Sequence, residues 1–133
     1  MTLDAYIADK SIKHIIIDFG GTLLQRYSLS TGYEVNKVLR DFIVAHAGDY
    51  CFIIWSHSPH EQITNCLKNW QLDAYFSFII SLDNMIEPKP SPASFTLIAD
   101  PKSTNPKEWL LIGDTDDDGY TAAALGFYFY KWL

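Results

Sequence analysis

The sequence is poor in cysteine and in positive charge, and it has no long apolar run. Its two cysteines, Cys51 and Cys66, both fall in apolar segments. Thiols in such segments are typical of buried free cysteines, which indicates a reducing compartment. The formal net charge of −6 excludes a nucleic-acid partner bound through a basic face. No apolar run approaches the roughly 20 residues of a membrane span, so we expect no membrane partner.

The first residues of the chain also lack the basic start and apolar core of a secretory signal peptide, and they carry Asp4 and Asp9. We therefore expect a cytoplasmic protein. A chain of 133 residues suits one domain, and 48% of its residues are hydrophobic. A core can then form without a disulfide or a structural metal. These features predict a single domain over residues 1–133.

Short strands alternate with helices along the chain. The β-branched and aromatic runs predict strands at 14–19, 50–55, 76–81, 109–112 and 127–132. Helical spacing predicts helices at 35–46, 93–99 and 118–125, and one after Ser58, with Ser58 as its cap and Glu61 closing a capping box. Residues 24–32 read as a loop or a small hairpin. This alternation predicts an α/β fold with a mainly parallel sheet.

Polar residues follow the predicted strands at the ends where parallel sheets place their chemistry. An acidic group with no arginine nearby indicates a hard cation bound through oxygens. A lysine and a hydroxyl beside it suit a phosphoryl group, and a lone carboxylate there can attack phosphorus. The residues concerned are Asp18, Gly20, Thr22, Ser56, Lys89, Asp114 and Asp118.

Four segments resemble, in order, the four motifs of the haloacid dehalogenase superfamily. They are IIIDFGGTL at 15–23, IIWS at 53–56, KPSP at 89–92, and LIGDT at 111–115 followed by Asp118. The likeness runs from about Ile15 to Tyr130, and every segment falls at a predicted strand end. The resemblance implies a three-layer α/β/α Rossmann-like sandwich. It also implies a five-strand, mainly parallel sheet with the Asp18 strand in the middle.

The resemblance further implies a nucleophile and a metal site. Asp18 is expected to attack phosphorus and to bind Mg²⁺. The backbone carbonyl of Gly20 and the carboxylate of Asp114 are expected to be further ligands. Asp118 is expected to support this metal shell and to hold the catalytic lysine. The implied cofactor is therefore Mg²⁺.

The remaining motif residues are implied to bind the phosphoryl group. Thr22 and Ser56 are expected to hold its oxygens. Lys89 is expected to neutralise the charge of the phosphorylated intermediate and to orient Asp18. The implied function is Mg²⁺-dependent hydrolysis of a phosphorylated substrate through an aspartyl-phosphate on Asp18.

One departure from the family pattern concerns the general acid that protonates the leaving group. The aspartate that protonates the leaving group in many relatives is Gly20 here. Such acid–base help is typically worth 10²- to 10⁴-fold in rate, so turnover is expected to be weak. His57, next to Ser56, is a candidate replacement, although a surface histidine is the commoner case. The alternative function is a non-catalytic domain that binds a phosphorylated ligand or a protein partner.

A second departure concerns the cap domain that many relatives use to select substrates. Asp18 and Ser56 are 38 positions apart, and Ser56 and Lys89 are 33 apart. Each interval must already hold a helix and a strand, so a cap of roughly 50 residues does not fit. We therefore expect an open site. The resemblance to capless relatives implies either action on large substrates or a homo-oligomer in which a neighbour covers the site. The aromatic segment 27–33 is a candidate to cover the site or to make a dimer contact.

Overall fold

Four α-helices and seven strands follow one another in the computed structural model, which describes residues 1–133. Three short 3₁₀ helices, at 93–97, 101–103 and 106–108, lie between β5 and β6, and another at 73–75 precedes β5. The elements are α1 (Leu3–Ile7), β1 (His14–Ile17), β2 (Leu24–Ser28), β3 (Gly32–Val35), α2 (Lys37–Ala45), β4 (Cys51–Trp55), α3 (His60–Asn69), β5 (Phe76–Ile80), β6 (Trp109–Gly113), α4 (Asp116–Leu125) and β7 (Tyr128–Lys131).

The main sheet has five parallel strands in the order β5-β4-β1-β6-β7. Strand β1 is therefore central, as the sequence predicts. Parallel strands buried on both faces are apolar at nearly every position, which explains the unbroken β-branched runs. The predicted α/β class and five-strand sheet are confirmed. No helix in the structure combines the length and the apolar character that crossing a bilayer requires.

Each face of the sheet has its own hydrophobic core. Residues Ile15 and Ile17 point to the face covered by α1, α2 and α3, within a cluster of 18 buried residues. Ile16 points to the opposite face, where Phe95 and Ala122 bring the 93–97 helix and α4 against the sheet. The alternation of side chains along β1 thus anchors both outer layers, and the result is an α/β/α sandwich.

The strand register aligns the residues that follow the strands. Ile17 pairs with Ile54 of β4 on one side and with Ile112 of β6 on the other. The three strands therefore end at the same level. The side chains of Asp18, Ser56 and Asp114 emerge at this one edge of the sheet.

A hairpin follows β1 at the same edge, where the sequence predicted a loop or small hairpin. It extends to Val35, a residue that the sequence analysis placed in the next helix. Helix α2 begins later because Asn36 caps it: the Asn36 side chain accepts from the Leu39 N–H at 3.2 Å. The same side chain donates to the Thr22 carbonyl at 3.1 Å. Asn36 thus joins α2 to the turn after β1.

Three other predicted elements need correction. Ser58 does not cap α3, since Pro59 holds the cap position and the free His60 N–H donates to Asp83 at 2.8 Å. The helix predicted at 93–99 is a 3₁₀ helix at 93–97. Helix α4 begins at Asp116 and not at Asp118, because Thr115 and Asp118 form a capping box there. The N-terminal helix α1 was not predicted.

We predict that Asn36→Ala lowers the free energy of unfolding by about 2 kcal/mol, because it removes both a helix cap and a buried hydrogen bond. Asn36→Ser keeps an acceptor for the Leu39 N–H but has no donor that reaches the Thr22 carbonyl. Its free energy of unfolding should therefore fall by about half as much as that of Asn36→Ala. Urea denaturation of the three proteins measures this. An Asn36→Ala protein as stable as the parent would contradict the assigned role.

Candidate active site

The nucleophile candidate Asp18 lies at the centre of the sheet edge. Its backbone N–H donates to the Ile112 carbonyl at 2.9 Å, which continues the β1–β6 ladder by one residue. The residue is only 8% exposed. Burial is the main cause that raises the pKa of Asp18 to about 7, and the neighbouring Lys89 opposes this rise. Further positive charge at this point would therefore favour the ionised carboxylate.

Lys89 forms a buried three-way contact at this edge. Its Nζ donates to Asp18 Oδ1 at 3.1 Å, to Asp118 Oδ1 at 2.6 Å and to the Trp55 carbonyl at 2.9 Å. An ammonium group has three N–H donors, so all are in use. Only 6% of the residue is exposed. Lys89 therefore links β1, β4 and α4 and fixes one oxygen of Asp18.

Asp118 is the most deeply buried of the acidic residues, with no exposed surface. Its Oδ1 accepts from Lys89, and its Oδ2 accepts from the Thr115 hydroxyl at 2.9 Å. A Cβ on Gly113 would overlap this carboxylate, so β6 must end in glycine. Both oxygens of Asp118 are thus engaged within the protein. This geometry favours support of a metal shell over direct coordination.

Asp114 is half-buried and is positioned by the turn after β1. Its Oδ1 accepts from the Thr22 hydroxyl at 3.2 Å. A Cβ on Gly21 would overlap its carboxylate, and Gly21 also has a φ of +80°, in the left-handed region. The second glycine of the Gly-Gly pair is therefore required by the close approach of Asp114.

The acidic residues fit a divalent cation. Ligand oxygens of Asp18, Asp114 and Asp118 all lie within 4.8 Å of one another. Oxygen ligands at such spacing suit Mg²⁺ or Ca²⁺. The carbonyl of Gly20 is also available, since the hydrogen bonds of this turn use the carbonyls of Asp18 and Phe19 instead. The residues predicted to hold Mg²⁺ thus come together, and Mg²⁺ binding itself stays a prediction.

A polar cavity of about 320 Å³ opens beside Asp18. None of its lining residues is hydrophobic. Besides Asp18, Gly20 and Thr115, it is lined by Ser56, His57, Ser58, Lys89 and Asp117. Ser56 thus lies beside Asp18 and Lys89 in one cavity, and its contact with a phosphoryl group stays a prediction.

Thr22 contacts Asp114, whereas the sequence predicted that it would line the phosphate-binding space. Its side chain is buried and donates to Asp114, and it does not line the cavity. The contact favours a role in positioning Asp114. Its predicted contact with phosphoryl oxygens stays a prediction.

His57 lines the cavity, but its Nε2 accepts the backbone N–H of Lys89 at 2.9 Å. Burial, followed by the charge of Lys89, lowers the pKa of His57. The neutral ring with a proton on Nδ1 fits both observations. His57 therefore positions the Lys89 loop, and its engaged Nε2 cannot deliver a proton to a leaving group.

Two contacts of the site were missed from the sequence. The Thr115 hydroxyl holds Asp118, and the Trp55 carbonyl accepts from Lys89. A threonine three residues before an aspartate at a helix start is a recognisable capping-box pattern, so Thr115 could have been found. The Trp55 contact could not have been predicted, because every residue has a backbone carbonyl and the sequence does not mark which one Lys89 binds.

Comparison with known proteins gives one family. The family model described as "Haloacid dehalogenase-like hydrolase" matches residues 33–130. A phosphoglycolate phosphatase from Aliivibrio fischeri is 27% identical over 81 residues, which are 61% of this chain and 36% of that protein. The chain thus spans about a third of the length of this curated relative.

Solved structures show the same fold. A haloacid dehalogenase-superfamily hydrolase of subfamily IA from Geobacter sulfurreducens superposes with a TM-score of 0.76 at 17% identity, over 90% of this chain and 89% of that one. A family enzyme from Bacteroides thetaiotaomicron, solved with magnesium and inorganic phosphate, gives a TM-score of 0.72 at 15% identity, over 92% and 94%. At these identities the likeness concerns the fold.

The two glycines after β1 give a matched test of the site geometry. We predict that Gly21→Ala destabilises the protein by about 2 kcal/mol or more, because a side chain at positive φ is strained and its Cβ meets Asp114. Gly20→Ala should leave the melting temperature nearly unchanged, since the nearest atom to the added Cβ would be Ser58 Oγ, at 3.9 Å. Thermal melting checks this, and equal losses in both variants would contradict the described packing.

Proposed function

The chain belongs to the haloacid dehalogenase-like hydrolase family, and on this basis we propose that it hydrolyses phosphate monoesters, with Mg²⁺ as cofactor and Asp18 as nucleophile. The observation that carries the proposal is the buried Lys89, which holds Asp18 Oδ1 and Asp118 Oδ1 beside Asp114. In this arrangement Lys89 stabilises the negative charge that an acyl phosphate on Asp18 carries. Lys89 is itself no competing nucleophile, because its ammonium group is protonated.

The first step is attack of Asp18 on the phosphorus. Lys89 binds Oδ1 of Asp18, which leaves Oδ2 free of the lysine to form the new P–O bond. The bond between phosphorus and the leaving oxygen breaks, and the leaving group departs with the electron pair as an alkoxide or phenolate, which takes its proton from solvent. Ser56, buried beside the cavity, has a hydroxyl that can donate to a phosphoryl oxygen.

The second step is hydrolysis of the aspartyl-phosphate. Water attacks phosphorus, the bond between phosphorus and Asp18 breaks, and the released phosphate retains the protons of the water. The Asp18 carboxylate leaves with the electron pair, and Lys89 compensates the charge that returns to it. No carboxylate stands at position 20, and His57 Nε2 is engaged by the Lys89 N–H. The site therefore lacks an obvious acid–base group. Substrates whose leaving group needs no proton should react best.

Asp18, Asp114 and the Gly20 carbonyl would hold Mg²⁺, and Asp118 would support them through Lys89. Bound Mg²⁺ would supply charge neutralisation at the phosphoryl oxygens and would orient the phosphate. The relative from Bacteroides thetaiotaomicron was solved with magnesium and inorganic phosphate, which supports Mg²⁺ as the cofactor.

We also propose that residues 1–133 form one domain without a cap. Between Asp18 and Ser56 the chain holds the β2–β3 hairpin, α2 and β4, and between Ser56 and Lys89 it holds α3 and β5. These elements account for both intervals. The site is then open unless a second copy of the chain or the aromatic β2–β3 hairpin covers it. The free cysteines support a cytoplasmic location.

The function can be tested with an aryl phosphate, since an aryl leaving group barely needs protonation. We predict turnover that requires Mg²⁺ and falls by at least about 10³-fold in Asp18→Asn, which cannot form the acyl phosphate. Absorbance of the released phenolate measures the rate. No turnover in a folded protein that binds Mg²⁺ would contradict hydrolysis and favour a ligand-binding domain.

Position 20 tests the missing acid. An added Cβ at position 20 would meet nothing closer than Ser58 Oγ at 3.9 Å, so Gly20→Asp is the variant that introduces a carboxylate there. We predict that this variant accelerates hydrolysis of an alkyl phosphate by about 10²-fold and leaves aryl phosphate hydrolysis within a few-fold. Steady-state release of inorganic phosphate measures both rates. An equal effect on the two substrates would contradict the idea that only the proton donor is absent.

A further inference from the structure

The catalytic cavity has no cation that is free to bind a second anionic group of a substrate. Lys89 is the only lysine or arginine among the lining residues, and its three donors are used by Asp18, Asp118 and the Trp55 carbonyl. The Nε2 atom of His57 accepts from a backbone N–H and therefore carries no proton, so the imidazole ring is uncharged. A substrate carboxylate or a second phosphate would therefore find no positive partner in the cavity.

The opposite charge is present on the wall of the cavity. Asp117 lines it, is exposed, and forms no salt bridge. The neighbouring Asp116 differs in both respects: its Oδ1 pairs with Lys131 Nζ at 3.1 Å, and it does not line the cavity. The N-terminus of a helix favours acidic residues in general, but it does not require one of them to border an anion site.

Lys89 and the proposed Mg²⁺ together balance the three carboxylates of Asp18, Asp114 and Asp118. The carboxylate of Asp117 is a fourth negative charge, and it weakens phosphate binding by like-charge repulsion unless the substrate brings a cation to it. We propose that the substrate is a phosphate monoester of an amino alcohol, whose ammonium group pairs with Asp117. The proposal rests on the function and on the single-domain organisation proposed above. It separates this chain from its relative from Aliivibrio fischeri, a phosphoglycolate phosphatase, because the carboxylate of phosphoglycolate would face Asp117 without a counter-ion.

The test compares two phosphomonoesters of similar size as competitive inhibitors of aryl phosphate hydrolysis at fixed free Mg²⁺. Phosphoethanolamine carries an ammonium group and phosphoglycolate carries a carboxylate. Inhibition constants report binding even where the missing acid makes turnover of these alkyl esters slow. We expect phosphoethanolamine to bind about tenfold more tightly at low salt, with a difference that shrinks as salt screens the charges.

Two variants with the same change in net charge locate the effect. Asp117→Asn should reduce the ratio of the two inhibition constants by about threefold or more, and Asp116→Asn by less than twofold. A ratio near one in the parent protein, or equal effects of the two variants, would overturn the proposal. Failure of the proposed function is recognised separately, because the aryl phosphate itself would then not be hydrolysed. In that case calorimetric titration of the parent chain and both variants with each ester and Mg²⁺ measures whether phosphoethanolamine binds more tightly than phosphoglycolate.

Discussion

The buried contact of Lys89 with Asp18 and Asp118 is the interaction on which the rest of the site depends. Removing one partner of such a contact leaves an uncompensated buried charge, which costs several kcal/mol. The arrangement forms only if β1, β4 and α4 meet at the same level, since each contributes one of the three acceptors. The parallel register of the sheet and the capping box of α4 are therefore requirements of the chemistry as well as of the fold.

Charge balance explains why this site calls for a further cation. Three carboxylates, those of Asp18, Asp114 and Asp118, face one ammonium group, and burial still raises the pKa of Asp18 to about 7 despite Lys89. The proposed role of Asp18 as nucleophile requires its ionised form, which added positive charge would favour. The two glycines Gly21 and Gly113 keep the carboxylates this close, because any side chain at either position would overlap one of them.

Much of the architecture could be predicted because it follows from local pattern. The β-branched runs identify the strands, and the rule that chemistry gathers at strand ends selects Asp18, Ser56 and Asp114 from the order of the amino acids alone. The edge of the sheet does bring them together. The class of fold and the family are confirmed by the sheet and by the match to residues 33–130.

The remaining details depend on contacts between residues far apart in sequence. Ser58 looks like a helix cap, but the distant Asp83 satisfies the first N–H of α3 and leaves Pro59 at the cap position. His57 looks like a free acid, but the Lys89 loop folds back and engages its Nε2. Tertiary contacts of this kind override local propensity, and a single sequence contains no trace of them.

The central claim is that Asp18 carries the phosphoryl group during turnover, and chemical trapping tests it most directly. The protein is incubated with an aryl phosphate and Mg²⁺, quenched in acid and reduced with borohydride, which converts an aspartyl-phosphate to homoserine. Peptide mass mapping should find homoserine at position 18 and at no other aspartate. Turnover without modification at Asp18, or modification at Asp114 in its place, would contradict the account.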